Sequence, residues 1–106
     1  MEFLNKVELL GIVGSSRESK VGDMTLVRFS VATDYAFNDK YGNAVVETTW
    51  HMVSAFSDKI TNGPSVNKGD KVFVSGRIRN VRYTTPEGVE KSMSEIVADK
   101  VQIIWQ

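Results

Sequence analysis

Short segments in which apolar and polar residues alternate are the feature that most limits what this chain can fold into. In one of them Val27, Phe29 and Val31 alternate with polar or small neighbours, which is the period of a β-strand with one face on a core. Five such segments are rich in Val, Ile, Thr and aromatic residues, and Gly, Asn, Asp and Pro separate them. The predicted strands are residues 5–14, 24–35, 45–56, 70–83 and 89–104.

The connections between these segments predict antiparallel neighbours. Residues 38–43 read Asn-Asp-Lys-Tyr-Gly-Asn and residues 85–88 read Thr-Pro-Glu-Gly, and both are tight-turn sequences. Residues 57–69 contain Asn-Gly-Pro, which excludes one long helix there and leaves room for a helical turn. Gly76 interrupts the fourth strand and indicates a bend or bulge. We therefore predict an all-β fold, a five-stranded Greek-key barrel of the OB type, with a short helix or irregular segment between strands 3 and 4.

Length and composition limit the number of domains and the classes of function. The chain has 106 residues, 42% hydrophobic and 25% charged, so we expect a single domain over residues 1–106. Thirteen Lys and Arg balance thirteen Asp and Glu, and a polyanion would therefore need a locally basic site. The absence of cysteine and the single histidine argue against disulfides, a metal or a cofactor. No signal peptide or bilayer-spanning stretch is present in the sequence, so we expect a cytoplasmic, nucleoid-associated protein with no membrane partner.

The fourth predicted strand places cations and rings on one face. Its odd positions include Lys71, Phe73, Arg77, Arg79 and Tyr83, and its even positions are mostly apolar. Because side chains alternate across a strand, cations for phosphates and rings for bases would point the same way, as a single-strand site requires. A solvated face with Phe73 and Tyr83 in ordinary cross-strand packing explains the pattern equally well.

Further aromatic residues lie in and around the third predicted strand. Trp50 is within it, Phe56 is at its end, and Phe37, Lys40 and Tyr41 lie in or near the preceding loop. Each ring taken alone is more often part of a core or an interface than a ligand site. Their collection beside basic residues favours a shared binding surface.

Several blocks of the sequence, taken in order, resemble the bacterial single-stranded-DNA-binding protein family. Examples are Phe-Ser-Val-Ala-Thr at 29–33 and Thr-Trp-His at 49–51. The resemblance covers residues 5–104 and rests on the collinear order of the blocks. The blocks are residues 5–11, 29–33, 49–51, 68–72, 74–79 and 94–101.

The resemblance implies an OB-fold that binds single-stranded DNA with little sequence preference in DNA replication, repair and recombination. Its copies usually assemble as homotetramers, and a dimer is the alternative. The implied base-stacking residues are Phe37, Trp50, Phe56 and Tyr83, although the family commonly has Trp at positions 37 and 83. The phosphate-binding candidates are Lys40, Lys68, Arg79 and Arg82, with Arg77 from the basic face of the fourth strand. The oligomer-interface candidates are His51 and Phe73.

The sequence departs from the family pattern at several positions. Met52 and Val81 stand where the family often has a basic residue, which predicts fewer phosphate contacts. The loop expected at 15–23 lacks the usual Asp-Pro-Glu followed by Arg, although Arg17 and Lys20 supply charge there. The sequence ends at residue 106 without an acidic tail, so we expect no tail-mediated recruitment of replication enzymes.

Three other functions stay open at this point. A tail-less OB module similar to primosomal replication protein B would be a dimer that acts in replication restart. A purely structural OB domain would contact proteins and not DNA. An enzyme is disfavoured because no catalytic residues are recognisable: His51 lies mid-strand beside Trp50, and Glu87 and Glu90 flank a turn and look solvated.

Overall fold

The structure is a computed structural model that describes residues 2–105, and nearly all of it is β-strand. The predicted all-β class is confirmed, with the fourth and fifth predicted strands corresponding to β5 and β6. A single 3-10 turn, Ser57–Lys59, follows β3 where a short helix or irregular segment was predicted. The strands are β1 (Val7–Val21), β2 (Met24–Asn38), β3 (Ala44–Phe56), β4 (Ile60–Thr61), β5 (Lys71–Thr84) and β6 (Glu90–Trp105).

The five long strands close into a barrel. They follow the order β3-β2-β1-β5-β6 with antiparallel neighbours, and β6 returns to β3 in parallel at Val53↔Ile96 and Ser54↔Val97. The two-residue β4 pairs in parallel with β6 at Ile60↔Val101 and Thr61↔Gln102. This arrangement confirms the predicted OB-type barrel.

The barrel interior is filled by small and branched apolar side chains from alternate positions of every long strand. Val27, Phe29 and Val31 are at most 1% exposed, so the alternation predicted for β2 is confirmed. Val72 and Val74 of β5 are fully buried beside them, which confirms the apolar face of that strand. The side chains at the opposite positions of these strands therefore face outwards.

Two glycines mark irregularities in the ladders. The β1–β2 register shifts at Gly14, and the β5–β6 register shifts at Gly76, where a bend or bulge was predicted. A Cβ at Gly76 would overlap the carbonyl oxygen of Val97, so only glycine allows β6 to approach this closely.

The expected loop at residues 15–23 is wrong, because β1 continues to Val21. Beyond Gly14, the polar stretch of β1 pairs residue by residue with β2 up to Val21↔Met24. Gly22 has a φ of 63° at the first position of the two-residue connection, which is where a type II′ turn needs a glycine. The ladder with β2 therefore overrides the low strand propensity of Ser-Ser-Arg-Glu-Ser-Lys.

Both predicted turns are confirmed, and each closes a two-stranded ribbon that extends beyond the barrel. We name residues 33–49 the β2–β3 arm and residues 77–95 the β5–β6 arm. In the first turn, the carboxylate of Asp39 accepts the N–H groups of Asn43 and Tyr41, each at 2.9 Å. The hydrogen bond from Asn43 is the main cause that lowers the pKa of Asp39.

Within residues 2–105, no helix is long and apolar enough to cross a membrane.

Candidate nucleic-acid interface

Trp50 lies on the outer surface of the barrel and packs against Gly14 of β1. A Cβ at Gly14 would lie 2.7 Å from Cη2 of the indole, which is closer than real contacts allow. The bulge at Gly14 thus leaves the space into which the ring fits. The indole nevertheless stays 59% exposed, so a broad aromatic surface faces solvent in a fixed place.

The register of β2 and β3 shows which side chains share the outer face with Trp50. The ladder runs without a shift from Leu26↔Phe56 to Asn38↔Ala44. Phe56 is therefore on the same face as Trp50, and Phe37, paired with Val45, is on the opposite face of the ribbon. The four predicted stacking residues do not form one flat surface.

The odd positions of β5 form a row on the outer face of the β5–β6 arm, as predicted. Arg77, Arg79 and Tyr83 follow one another along this row, and Lys91 pairs with Tyr83 across the ladder. Tyr83 is 45% exposed. Arg82 is at an even position and lies on the reverse face of the arm, so the structure separates it from Arg77 and Arg79.

A groove of about 270 Å³ runs between this row and the outer faces of β1, β2 and β3, and we name it the arginine groove. Arg17 and Arg28, on one side of it, are directly opposite each other in the β1–β2 ladder. Tyr83 lies on the other side, and Met52 and Met93 add flexible apolar contacts. Its lining residues are Arg17, Arg28, Met52, Val53, Val81, Tyr83, Met93 and Glu95.

Glu95 is the acidic residue of the arginine groove and is only 7% exposed. Its Oε1 accepts a short hydrogen bond from the hydroxyl of Ser54 and another from Nη2 of Arg79 at 3.4 Å. The Arg79 guanidinium is thereby held at the groove, and part of its charge is neutralised. A buried carboxylate needs partners of this kind, because desolvation without them is costly.

The β2–β3 arm presents a second aromatic group. The rings of Tyr35 and Phe37 are stacked, with centroids 5.9 Å apart and planes inclined by 28°. At the tip, the ammonium of Lys40 lies 5.2 Å from the ring centroid of Tyr41, within the range of a cation–π contact. Tyr35 is 68% exposed, so this arm offers ring surface on the face opposite Trp50.

Lys68 is exposed in the turn before β5. The following residue, Gly69, has a φ of 91° and donates its N–H to the carbonyl of Val13 at 2.8 Å. Val13 precedes Gly14, so this turn is tied to the part of β1 on which Trp50 packs.

The two predicted interface residues lie on different faces. His51 lines an apolar groove of about 260 Å³ that also includes Leu9 and Ile78, and its Nε2 is 2.8 Å from the hydroxyl of Thr33. Partial burial lowers the pKa of His51. Phe73 is half-buried on the outer face of β5, directly opposite Leu10 of β1.

Three exposed residues of β1 and β2 were missed from the sequence as site candidates or were only partly recognised. Arg28 lies between the buried positions of β2. The alternation was used to predict only the buried residues, and the outward-facing residues of that strand were not considered. Arg17 was noted only as a charge in an expected loop. Tyr35 is two residues before Phe37 in β2 and was detectable from that spacing.

Within residues 2–105, no three His, Asp or Glu side chains come together in a way that could hold a metal ion.

A five-stranded barrel of this topology is an OB-fold. The model of the single-strand binding protein family matches residues 4–104. The chain belongs to the single-strand binding protein family, and the resemblance seen in the sequence is confirmed.

Similar proteins include bacterial relatives named single-stranded DNA-binding protein. That of Xylella fastidiosa (strain Temecula1 / ATCC 700964) is 36% identical over 105 residues, which are 95% of this chain and 63% of the relative. That of Neisseria meningitidis serogroup B is 32% identical over 95% of this chain and 60% of the relative. The chain thus spans about three fifths of the length of these relatives.

Solved structures agree with the barrel. A Plasmodium falciparum SSB in complex with ssDNA superposes with a TM-score of 0.78 at 25% identity, covering 100% of this chain and 97% of that one. The small single-stranded DNA-binding protein from Streptomyces coelicolor has a TM-score of 0.72 at 23% identity, covering 97% and 95%. At 23% identity, the likeness to the Streptomyces coelicolor protein shows only that the two chains share a fold.

Proposed function

We propose that this protein binds single-stranded DNA without strong sequence preference, by stacking bases on exposed rings and holding phosphates with Lys and Arg. The observation that carries the proposal is the outer face of β3, on which Trp50 is followed by Met52, together with the groove in which Met52 meets Tyr83, Arg17 and Arg28. Flat rings bind every base through its π-face, and cations beside them bind the backbone, so the surface suits a strand of any sequence.

Stacking can carry this binding although the formal net charge is zero. Each stacked base is worth about 1–3 kcal/mol, so the four predicted stacking residues amount to about 4–12 kcal/mol before the ordering of the strand is subtracted. The proposed stacking residues are Phe37, Trp50, Phe56 and Tyr83, and the proposed phosphate contacts are Lys40, Lys68, Arg77, Arg79 and Arg82. Phe37 would act from the β2–β3 arm, beside Tyr35.

The cellular role that follows is protection of single strands in DNA replication, repair and recombination, in the cytoplasm. The chain would act by binding alone, without catalysis or a cofactor. The relatives described above are named single-stranded DNA-binding proteins, and the comparisons do not favour the replication-restart alternative.

We further propose that copies of this chain assemble, as a homotetramer or otherwise as a dimer. Exposed apolar surface on the outer face of β5 and its neighbours supports this. Leu10 is 54% exposed opposite Phe73, and Trp105 is 52% exposed opposite Lys71, which lies on the same face of β5 as Phe73. Contiguous exposed apolar surface marks interaction sites. Light scattering tests the assembly, and a mass that stays monomeric at all concentrations would contradict it.

The binding proposal is tested by tryptophan fluorescence. The chain has two tryptophans, so Trp105→Phe leaves Trp50 as the single indole reporter. Titration with oligo(dT) is expected to quench Trp50 strongly, because a base covers the exposed indole. Duplex DNA of the same length is the control, and its bases are already stacked and unavailable.

Equal quenching by both DNA forms would exclude the proposed function. In a second arm, Trp50→Ala and Tyr83→Ala are titrated with a fluorescent oligo(dT). Each substitution should weaken binding by about 1–3 kcal/mol. Unchanged affinity in both variants would mean that these rings do not carry the binding, and no binding of oligo(dT) by the unchanged chain would instead indicate a structural OB domain that contacts proteins.

A further inference from the structure

We propose that Arg17 and Arg28 together hold one backbone phosphate of the bound strand. The inference rests on the proposed function and adds a contact on β1 and β2, away from the phosphate candidates of β5. Arg28 contributes to it although no sequence motif pointed to that residue.

The first argument is the placement of the two arginines. They are directly opposite each other on the outer face of the β1–β2 ladder, where opposed Cβ atoms are about 4.5–5.5 Å apart. Like charges in such a pair repel. Within residues 2–105, neither guanidinium takes part in an ion pair. An anion bound between the two guanidinium groups would relieve this repulsion.

The second argument is that the neighbouring acids do not serve this role. Glu18 follows Arg17 in the chain but is paired with Val27, so it points to the other face of β1. Glu95 lines the same groove, but its Oε1 is engaged by Ser54 and Arg79. The arginine pair keeps its positive charge.

The third argument concerns the chemistry of the anion. Guanidinium groups are planar donors that match phosphate oxygens, so two of them suit one phosphate. Tyr83 and Met52 line the same groove, and a base attached to that phosphate would meet a ring and a flexible apolar side chain there. A second groove, of about 330 Å³, begins at the same arginines and includes Ser15 and Ser16. A strand can therefore enter along one groove and leave along the other, crossing the arginine pair between them.

The experiment compares Arg17→Gln, Arg28→Gln and the double variant with the unchanged chain, each titrated with the same oligo(dT) at several salt concentrations. The control is Lys20→Gln, which removes one charge from the same hairpin. Lys20 lies on the opposite face of the ladder and donates to the hydroxyl of Thr25 at 2.9 Å.

The double variant is expected to bind about tenfold more weakly at low salt and to lose about 0.7 from the slope of log K against log salt, which corresponds to one phosphate of a single strand. Lys20→Gln should leave the slope unchanged. A loss near 1.4 would mean two separate phosphates, and no loss would mean no contact; either result overturns the proposal. If the unchanged chain binds no oligonucleotide, the proposed function itself fails.

A measurement without DNA keeps the proposal testable if binding changes for other reasons. Because the two charges repel, either single variant should unfold at an equal or higher temperature than the unchanged chain. A lower unfolding temperature in both would show that the arginines already have partners in the free protein, which contradicts the proposal.

Discussion

The indole of Trp50 packs on the backbone of Gly14, where a Cβ would lie 2.7 Å from Cη2 of the ring. The platform on which a base is expected to stack therefore depends on a residue of a different strand. Gly14→Ala should displace the ring and weaken binding of oligo(dT) by about 1 kcal/mol or more, up to the value of one stacked base.

A double-variant cycle checks this first prediction. In the Trp50→Ala background, Gly14→Ala should have little further effect on oligo(dT) affinity, because the ring it displaces is gone. Additive effects in the cycle would mean that Gly14 acts in some other way. Thermal unfolding of each variant separates loss of binding from loss of fold.

The second prediction compares the two faces of the β5–β6 arm. Arg77 and Arg82 are both exposed, but Arg77 lies on the face of Tyr83 and Arg82 on the reverse face. Arg77→Gln should reduce the salt slope of oligo(dT) binding by about 0.7, and Arg82→Gln should reduce it less. Equal reductions would indicate that the strand wraps around both faces of the arm, as the family resemblance of Arg82 suggests.

The third prediction concerns Glu95, which binds Arg79 and Ser54 at the arginine groove. Glu95→Gln removes a negative charge there and releases Arg79, so oligo(dT) affinity should rise about threefold, since a screened charge is worth about 0.5–1 kcal/mol. The free energy of unfolding should fall by about 1–2 kcal/mol, because a hydrogen-bonded charged group is lost.

Glu90→Gln is the matched control for this charge. Glu90 is an exposed acid of the same strand, opposite Thr84 and outside the arginine groove. It should change neither stability nor affinity appreciably. A decrease of oligo(dT) affinity in Glu95→Gln would show that Glu95 supports binding directly.

The fourth prediction is a pH dependence of stability that arises from His51. Partial burial lowers the pKa of His51 below its ordinary value, so the unfolded chain binds the proton more readily than the folded one. The resulting stabilisation is complete above about pH 6.5 and is lost as the pH falls from there through the folded-state pKa. The His51→Gln variant lacks this pH-dependent stabilisation, because glutamine does not titrate.

Urea unfolding between pH 8 and pH 5 measures this pH-dependent stabilisation by His51. The stability advantage of the unchanged chain over His51→Gln should be largest at the alkaline end and should shrink as the pH falls. Asp39 titrates outside this window, because its pKa is lowered from 3.8. A difference that does not vary with pH would contradict the assignment to His51.

The sequence by itself determined the barrel class, the buried faces and the turns. Alternation identifies which side of a strand is buried, and it predicted the core positions Val27, Phe29 and Val31 as well as the outward row of β5. Both hairpin turns followed from their Gly, Pro and Asn residues, because these types adopt turn backbones that other residues disfavour. These are local properties of the chain.

Only the tertiary structure decided which outward side chains share a surface. The ladder past Gly14 turned an expected loop into strand and brought Arg17 opposite Arg28. The β2–β3 register put Phe37 on the face opposite Trp50, although the sequence suggested one common platform. Register, bulges and barrel closure depend on pairing between distant segments, so a pattern read along one strand cannot reveal what lies across from it.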